Sequence, residues 1–425
     1  MTAEFLREEV LQSVQEIGEA DILIGIPSFN NARTIGHVVR AVRAGLAKYF
    51  PEQRVVLVNS DGGSTDGTSD IVAQAEIAGT SRILVRGTPQ PMRKLITAYQ
   101  GMPGKGSAFR TIFEIARRLN VRACAVVDSD LRSIAPEWIQ LLVAPVLNEE
   151  FDYVCPLYSR HKYDGTITNS IVYPMVRTVY GKRIRQPIGG DFGFSGRMAS
   201  YYLAEDVWES DVARFGIDIW MTTTALMTGW PICQSYVGAK IHDAKDPSSD
   251  LTAMLMQVTG SLFGQLAAHA PSWYDVEGSE DVPTFGFEYE VGLEPIPVNI
   301  DRMVNAFTHG VLDLSGFYKS VLSPSTLGAL VALAQKPPQP FHVPNDLWVR
   351  VVYDFAAAHL RQAAPPDHLL RSLTPLYLGR TASWVVESAS YGASEVEQAL
   401  DTLGQRFEAL KPDLVALWKK GGRAS

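Results

Sequence analysis

Cys124-Ala125-Val126-Val127-Asp128-Ser129-Asp130 decides the reading of this 425-residue chain: a short apolar run that ends in two carboxylates separated by one serine. A short run with no polar alternation fits a strand buried on both faces. Residues i and i+2 of an extended chain project to the same side, so Asp128 and Asp130 lie together just past the strand. Two neighbouring carboxylates raise each other's pKa unless a cation stands near. Their oxygens suit Mg²⁺ or Mn²⁺, ions that also bridge to a diphosphate. The competing reading is a solvated turn, with Asp130 capping a helix that begins near Pro136.

The surroundings favour the first reading. Ile22–Pro27 is another apolar run, and it opens into the loop Pro27-Ser28-Phe29-Asn30. A helix follows over Thr34–Leu46, with Ile35, Val38, Val39, Val42 and Leu46 on one face. Val55–Val58 reads as a second strand, Thr65–Ala78 as a helix, Ile83–Val85 as a third strand and Gly106–Leu119 as a helix before the fourth strand at Cys124. Strands alternating with helices through short links imply a mainly parallel α/β sheet. Ligands of such sheets gather where loops leave the carboxyl ends of the strands. Beyond about Asp250 the pattern turns helical: Leu251–Ala268, Ile300–Leu322, Asp346–His359, His368–Ser390 and Glu395–Trp418. The chain therefore divides into a helical extension (1–20), an α/β domain (21–249) and a helical domain (250–425), whose Trp and Tyr residues read as core.

Composition narrows the function classes. A formal net charge of −8 argues against a nucleic-acid partner, which favours a basic surface. No stretch approaches the ~20 apolar residues that span a bilayer. The acidic N-terminus lacks the basic and apolar regions of a signal peptide. Cys124, Cys155 and Cys233 sit among apolar neighbours without a CxxC pair, which fits buried thiols in a reducing compartment. A soluble cytoplasmic protein is expected, with homo-oligomerisation left open.

Four further segments carry chemistry. Asp61-Gly62-Gly63-Ser64-Thr65-Asp66-Gly67-Thr68 follows the second strand; its glycines admit a ligand close to the backbone, or merely connect strand to helix. Pro103-Gly104-Lys105-Gly106 precedes a helix, and backbone N–H groups beside an ammonium form an anion site. Gln186-Pro187-Ile188-Gly189-Gly190-Asp191 offers backbone to pack on a sugar and a carboxylate to accept from its hydroxyls. His242 is a candidate metal ligand, against the plainer reading of a packing histidine.

In this order the segments, together with Phe215-Gly216-Ile217-Asp218, resemble the retaining GT-A glycosyltransferases of the mannosylglycerate, glucosylglycerate and glucosyl-3-phosphoglycerate synthase group. The resemblance implies a GT-A fold, a Rossmann-like mixed α/β sheet, with a mostly helical C-terminal domain. It implies transfer of glucose or mannose from a UDP- or GDP-sugar with Mg²⁺ or Mn²⁺ as cofactor. Asp130 and His242 would ligate the metal, with Asp128 in its outer shell or beside the ribose. Pro27, Phe29, Asn30, Asp61, Gly62, Ser129, Gly189, Gly190 and Asp191 would line the donor site. Lys105 would sit at the diphosphate and Asp218 at the reacting centre. In the acceptor segment, Arg160 and Thr168 match residues that hold a glycerate carboxylate, with Tyr163 and Thr166 beside them; an arginine fork suits a carboxylate. The phosphoglycerate enzymes show Gly-Arg-x-Thr where this chain has Gly165-Thr166-Ile167-Thr168, and Arg-Asn where it has Asp243-Ala244. D-glycerate is thus the expected acceptor, with 3-phosphoglycerate or a larger glycan as alternatives and His161 and Lys162 as the remaining candidates for a phosphate. Two departures bear on the donor: Asp191 stands where the family has Glu, and the Asp61 loop is one glycine longer.

Overall fold

In the computed structural model, residues 6–75, 92–99, 104–213, 216–241, 251–288 and 296–421 are described. They fall into two compact units that interleave along the chain. One comprises residues 1–159, 188–243 and 282–293, the other 160–187, 244–281 and 294–425. The cut expected at residue 249 therefore becomes several crossings, and the acceptor segment groups with the helices.

The first unit is built on an eight-stranded sheet. Its strands are β1 (Ile22–Ser28), β2 (Val55–Asp61), β3 (Arg93–Ala98), β4 (Ala123–Val126), β5 (Tyr153–Ser159), β7 (Phe192–Ser195), β8 (Ile232–Ala239) and β10 (Thr284–Phe285). The order is β10-β8-β5-β7-β4-β1-β2-β3. All neighbours pair in parallel except β7, which runs antiparallel to β4 and β5 and makes the sheet mixed.

The strands read from apolar runs are buried throughout: every residue of β1 and β2 is enclosed. Both faces are covered. Ile22, Ile24 and Ile26 join a core with Val38, Val39, Val42 and Leu46 of the helix Ile35–Tyr49 and with Trp138, Ile139 and Leu142 of the helix Pro136–Asn148. Gly25 lies on the opposite face against Ile112 of the helix Lys105–Arg118. Each large side chain buried in this way contributes about 1.5–3 kcal/mol. The expected helix over Thr65–Ala78 is shorter, Thr68–Gln74. The strand expected at Ile83–Val85 lies outside the described residues, and the third strand they contain is β3.

The second unit is helical, with one two-stranded ribbon formed by β6 (Lys182–Arg183) and β9 (Glu280–Asp281). Its long helices are Thr252–Ala268, Ile300–Asp313, Pro324–Gln335, Asn345–Leu360, Pro366–Glu387 and Ala393–Ala409. Two expected helices are interrupted. Ile300–Leu322 breaks at Leu314, and Glu395–Trp418 breaks at Leu410, just before Lys411-Pro412. Proline cannot donate to the preceding turn, so a new helix starts there. No described helix is long and apolar enough to cross a membrane.

Candidate active site

Loops from the carboxyl ends of β1, β2 and β4 are cross-stitched by short polar side chains. Asp61 is almost fully buried. Its Oδ1 accepts from Ser28 and Ser64 hydroxyls at 2.8 and 2.6 Å, and its Oδ2 from the Gly63 and Ser64 N–H groups at 3.0 and 2.7 Å. The expected donor contact is therefore turned inward: the Asp61 carboxylate holds its own loop. Asn30, in the left-handed region (φ 54°), accepts from the Thr65 N–H at 3.0 Å while its own N–H donates to Ser64 Oγ at 2.8 Å. Ser129, expected to touch the donor, donates to Asn31 Oδ1 at 2.8 Å and serves as another brace. Pro27 lies within β1, and its partner in register is Ser60. Phe29 is the exception. It is 61% exposed, and a Cβ added at Gly62 would lie 3.1 Å from its ring and 3.2 Å from Tyr99 Oη. An exposed aromatic face beside bare backbone is a stacking shelf. Tyr99, which the sequence did not single out, hydrogen-bonds the Gly104 N–H at 3.0 Å and so ties the shelf to the Lys105 turn.

Behind the shelf is a compact ion network. Lys105, at the start of its helix, donates to Asp128 Oδ1 at 2.8 Å and approaches Asp218 at 3.3 Å. Lys240, one residue past β8, donates to Asp128 Oδ2 (2.8 Å), Asp191 Oδ2 (2.8 Å) and the Gly189 carbonyl (2.6 Å). Its three N–H bonds match the three donors of an ammonium. Burial works against ionising Asp128, but the two ammonium charges outweigh it and hold the carboxyl well below the usual range. Burial likewise opposes a charged Lys105, yet Asp128 and Asp218 keep it above the ordinary lysine range. Asp218, in the first turn of the helix Ile217–Met227, is pushed up mainly by burial.

Asp191 departs from its expected role. It is fully enclosed: Oδ1 accepts from the Asp128 N–H at 2.7 Å, and Oδ2 meets Lys240 and the Tyr158 hydroxyl. With both oxygens committed, it positions Asp128 and does not face a sugar hydroxyl. Gly190 (φ 83°) is required by the same geometry, since a Cβ there would lie 2.1 Å from Asp128 Oδ2. Gly190→Ala should therefore cut turnover by about 10²-fold, the cost of misplacing a reacting group by roughly 1 Å; steady-state kinetics on folded protein reads it. Lys240 and Tyr158 were not found from sequence. A lysine directly after a buried strand could have marked Lys240 as paired, because such a charge persists in a core only with a partner, but not which partner it has.

Asp130, two residues beyond Asp128 in sequence, is exposed. His242, Pro103 and Phe215 lie outside the described residues. Among the described residues no group of three or more His, Cys, Asp or Glu side chains is arranged to hold a metal.

The acceptor segment belongs to the helical unit. Arg160 and Thr168 converge over Gly165 (φ 64°): a Cβ there would lie 3.3 Å from Arg160 Nη1 and 4.0 Å from Thr168 Oγ1. Arg160 also faces Asp164 at 3.7 Å. Tyr163 and Thr166, expected beside Arg160 and Thr168, make contacts within the helical unit. Tyr163 packs with Trp384, Val396 and Leu400, and the Thr166 hydroxyl is bonded to that of Tyr377 at 2.5 Å. Lys162 is committed to backbone carbonyls. Burial and the neighbouring Lys162 charge lower the pKa of His161, leaving its imidazole neutral near pH 7.

The strand ends of this mixed sheet thus carry a lysine–carboxylate network and an exposed aromatic shelf. Residues 23–208 match the family described as Glycosyl transferase family 2. The glucosyl-3-phosphoglycerate synthase of Petrotoga mobilis is 25% identical over 270 residues, covering 59% of this chain and 74% of that protein. Among solved structures, glucosyl-3-phosphoglycerate synthase from Mycobacterium tuberculosis with Mn²⁺, UDP and glucosyl-3-phosphoglycerate aligns at a TM-score of 0.43 and 18% identity, covering 62% of this chain and 86% of that one. The same enzyme with Mg²⁺ and UDP gives a TM-score of 0.43 at 19% identity, over 59% and 83% of the two chains.

Proposed function

We propose that this chain transfers glucose, or mannose, from a nucleoside diphosphate sugar to D-glycerate with retention of configuration, giving a glucosylglycerate-type compatible solute in the cytoplasm. The observation that carries the reading is the convergence of the Arg160 guanidinium and the Thr168 hydroxyl over Gly165, donor groups of the kind that hold a carboxylate. On the donor side, Phe29 and Tyr99 bracket Gly62 to receive the base. Lys105 makes one short bond to Asp128 and a longer approach to Asp218, so it retains donor capacity for a phosphate.

The residues fit a divalent ion. One exposed carboxylate, Asp130, with His242 nearby in sequence, matches the sparse protein ligation of Mg²⁺ or Mn²⁺ where substrate phosphates complete the shell. Asp128 has one lysine on each of its oxygens, which suits a place in the ion's outer shell. When bound, the ion would neutralise charge developing on the departing diphosphate. Lys105 would add its charge to the same leaving group, and Asp218 would orient the acceptor hydroxyl. Attack from the face of the leaving phosphate lets that phosphate take the hydroxyl proton, so no enzymatic nucleophile is assigned.

A phosphorylated acceptor is the second reading, favoured by the name of the Petrotoga relative. Its dianion would need additional cations. Within the described part of residues 160–187, Lys162 is held by carbonyls, Arg177 by Asp401 and Glu408, Lys182 by Glu280, Arg183 by Asp281 and Arg185 by Glu397. Free glycerate therefore fits better. The test is a grid of UDP-glucose, GDP-glucose and GDP-mannose against D-glycerate, 3-phosphoglycerate and D-lactate, with Mg²⁺ or Mn²⁺. Turnover of glycerate well above phosphoglycerate is expected, and the reverse order would replace the reading.

A further inference from the structure

The helix Pro366–Glu387 has no basic residue in its last turn. The final carbonyls of a helix lack intrahelical donors and carry the negative end of its dipole. A lysine 226 residues away supplies the cation. Lys162 Nζ donates to the carbonyls of Ser388 (2.6 Å), Ala389 (2.9 Å) and Tyr391 (3.2 Å), just past the helix. The tie is reciprocal, because Trp384 Nε1 donates to the Lys162 carbonyl at 2.8 Å. Further along the segment, the Tyr163 hydroxyl donates to the Val385 carbonyl (3.4 Å), and Trp348 Nε1 donates to the Ser170 carbonyl (2.8 Å). Arg160 stands two positions before the Lys162 anchor, while Gly165 and Thr168 lie inside the anchored span.

We propose that the helical unit is the scaffold of the acceptor site, and that Lys162 is a positioning residue fixing Arg160 over Gly165 and Thr168. This rests on the glycerate reading above. Charge-assisted hydrogen bonds are roughly twice as strong as neutral ones, so one lysine with three such bonds fixes the backbone on which the clasp is built. A carboxylate gripped by a fork is sensitive to this, since its two oxygens must meet a planar guanidinium in register.

The test uses the full chain. Lys162→Met should raise the KM for D-glycerate about tenfold or more, as a loosened clasp predicts. The dissociation constant of the preferred sugar nucleotide, measured by calorimetry without acceptor, should stay unchanged. Trp384→Phe keeps the packing of a ring but loses the N–H, and should raise the same KM about fivefold, the value of one hydrogen bond. An unchanged glycerate KM in either folded variant overturns the proposal, as does an equal loss of donor affinity. If Lys162→Met does not fold, Trp384→Phe decides alone. Wild-type protein inert toward glycerate refutes the function reading instead, and the same KM comparison is then made with whichever acceptor the grid identifies.

Discussion

Lys240→Met is expected to destabilise the protein by about 3–5 kcal/mol, the cost of removing one partner from a buried ion pair. The side chain is only 5% exposed and holds Asp128, Asp191 and the Gly189 carbonyl. Methionine fills much of the same volume but leaves Asp128 Oδ2 and Asp191 Oδ2 facing each other with no cation between them. Lys105 still neutralises one oxygen of Asp128, which is why collapse of the whole unit is not expected. The melting temperature should fall by roughly 6–20 °C for a unit of this size, and turnover by about 10²-fold because the strand-end carboxylates lose their registration. Calorimetry and steady-state kinetics read the two effects separately. A variant as stable and active as the parent would mean that the network is ornamental.

Asp130→Ala is the second large effect. Asp130 is exposed while Asp128 is held between two lysines, so the variant should lose about 10²–10³-fold in kcat, the scale of removing charge stabilisation from a transition state. Stability should hold, because an exposed carboxylate contributes little to folding. Mn²⁺ binding in the presence of UDP, followed by titration calorimetry, should weaken in parallel. Loss of turnover with intact metal binding would assign Asp130 to the substrate and leave the ion elsewhere.

The fold was legible where burial is two-sided. β1, β2 and β4 are short unbroken apolar runs, and a strand enclosed on both faces has no other way to be written. β3 begins Arg93-Lys94 and leaves Ile96 exposed at the sheet edge, so its alternation resembles a loop. β7 is four residues long and β5 carries Pro156, features that weaken a strand signal. The site was legible in part for the same reason. Asp128, Asp130 and Lys105 sit next to recognisable strand ends and turns. Lys240 acts on Asp128 across 112 residues of sequence, and no local pattern carries that distance. Asp191, Tyr163 and Thr166 contact protein partners, and a polar residue beside a glycine reads alike whether it faces a ligand or a partner. Only the fold decides which.

The interleaving of the two units has a practical outcome for anyone cutting this gene. A fragment ending near residue 249 keeps the family 2 match but discards β10, which belongs to the first unit and pairs with β8. The fragment would leave Gln234 and Ser235 of β8 without their strand partner, lengthening an exposed edge that can template strand-to-strand aggregation. It would also carry residues 160–187 without the helices that hold them. Poor solubility of such a fragment would say nothing about the intact enzyme; a soluble minimal version has to retain 282–293, spliced back to β8 by a designed linker.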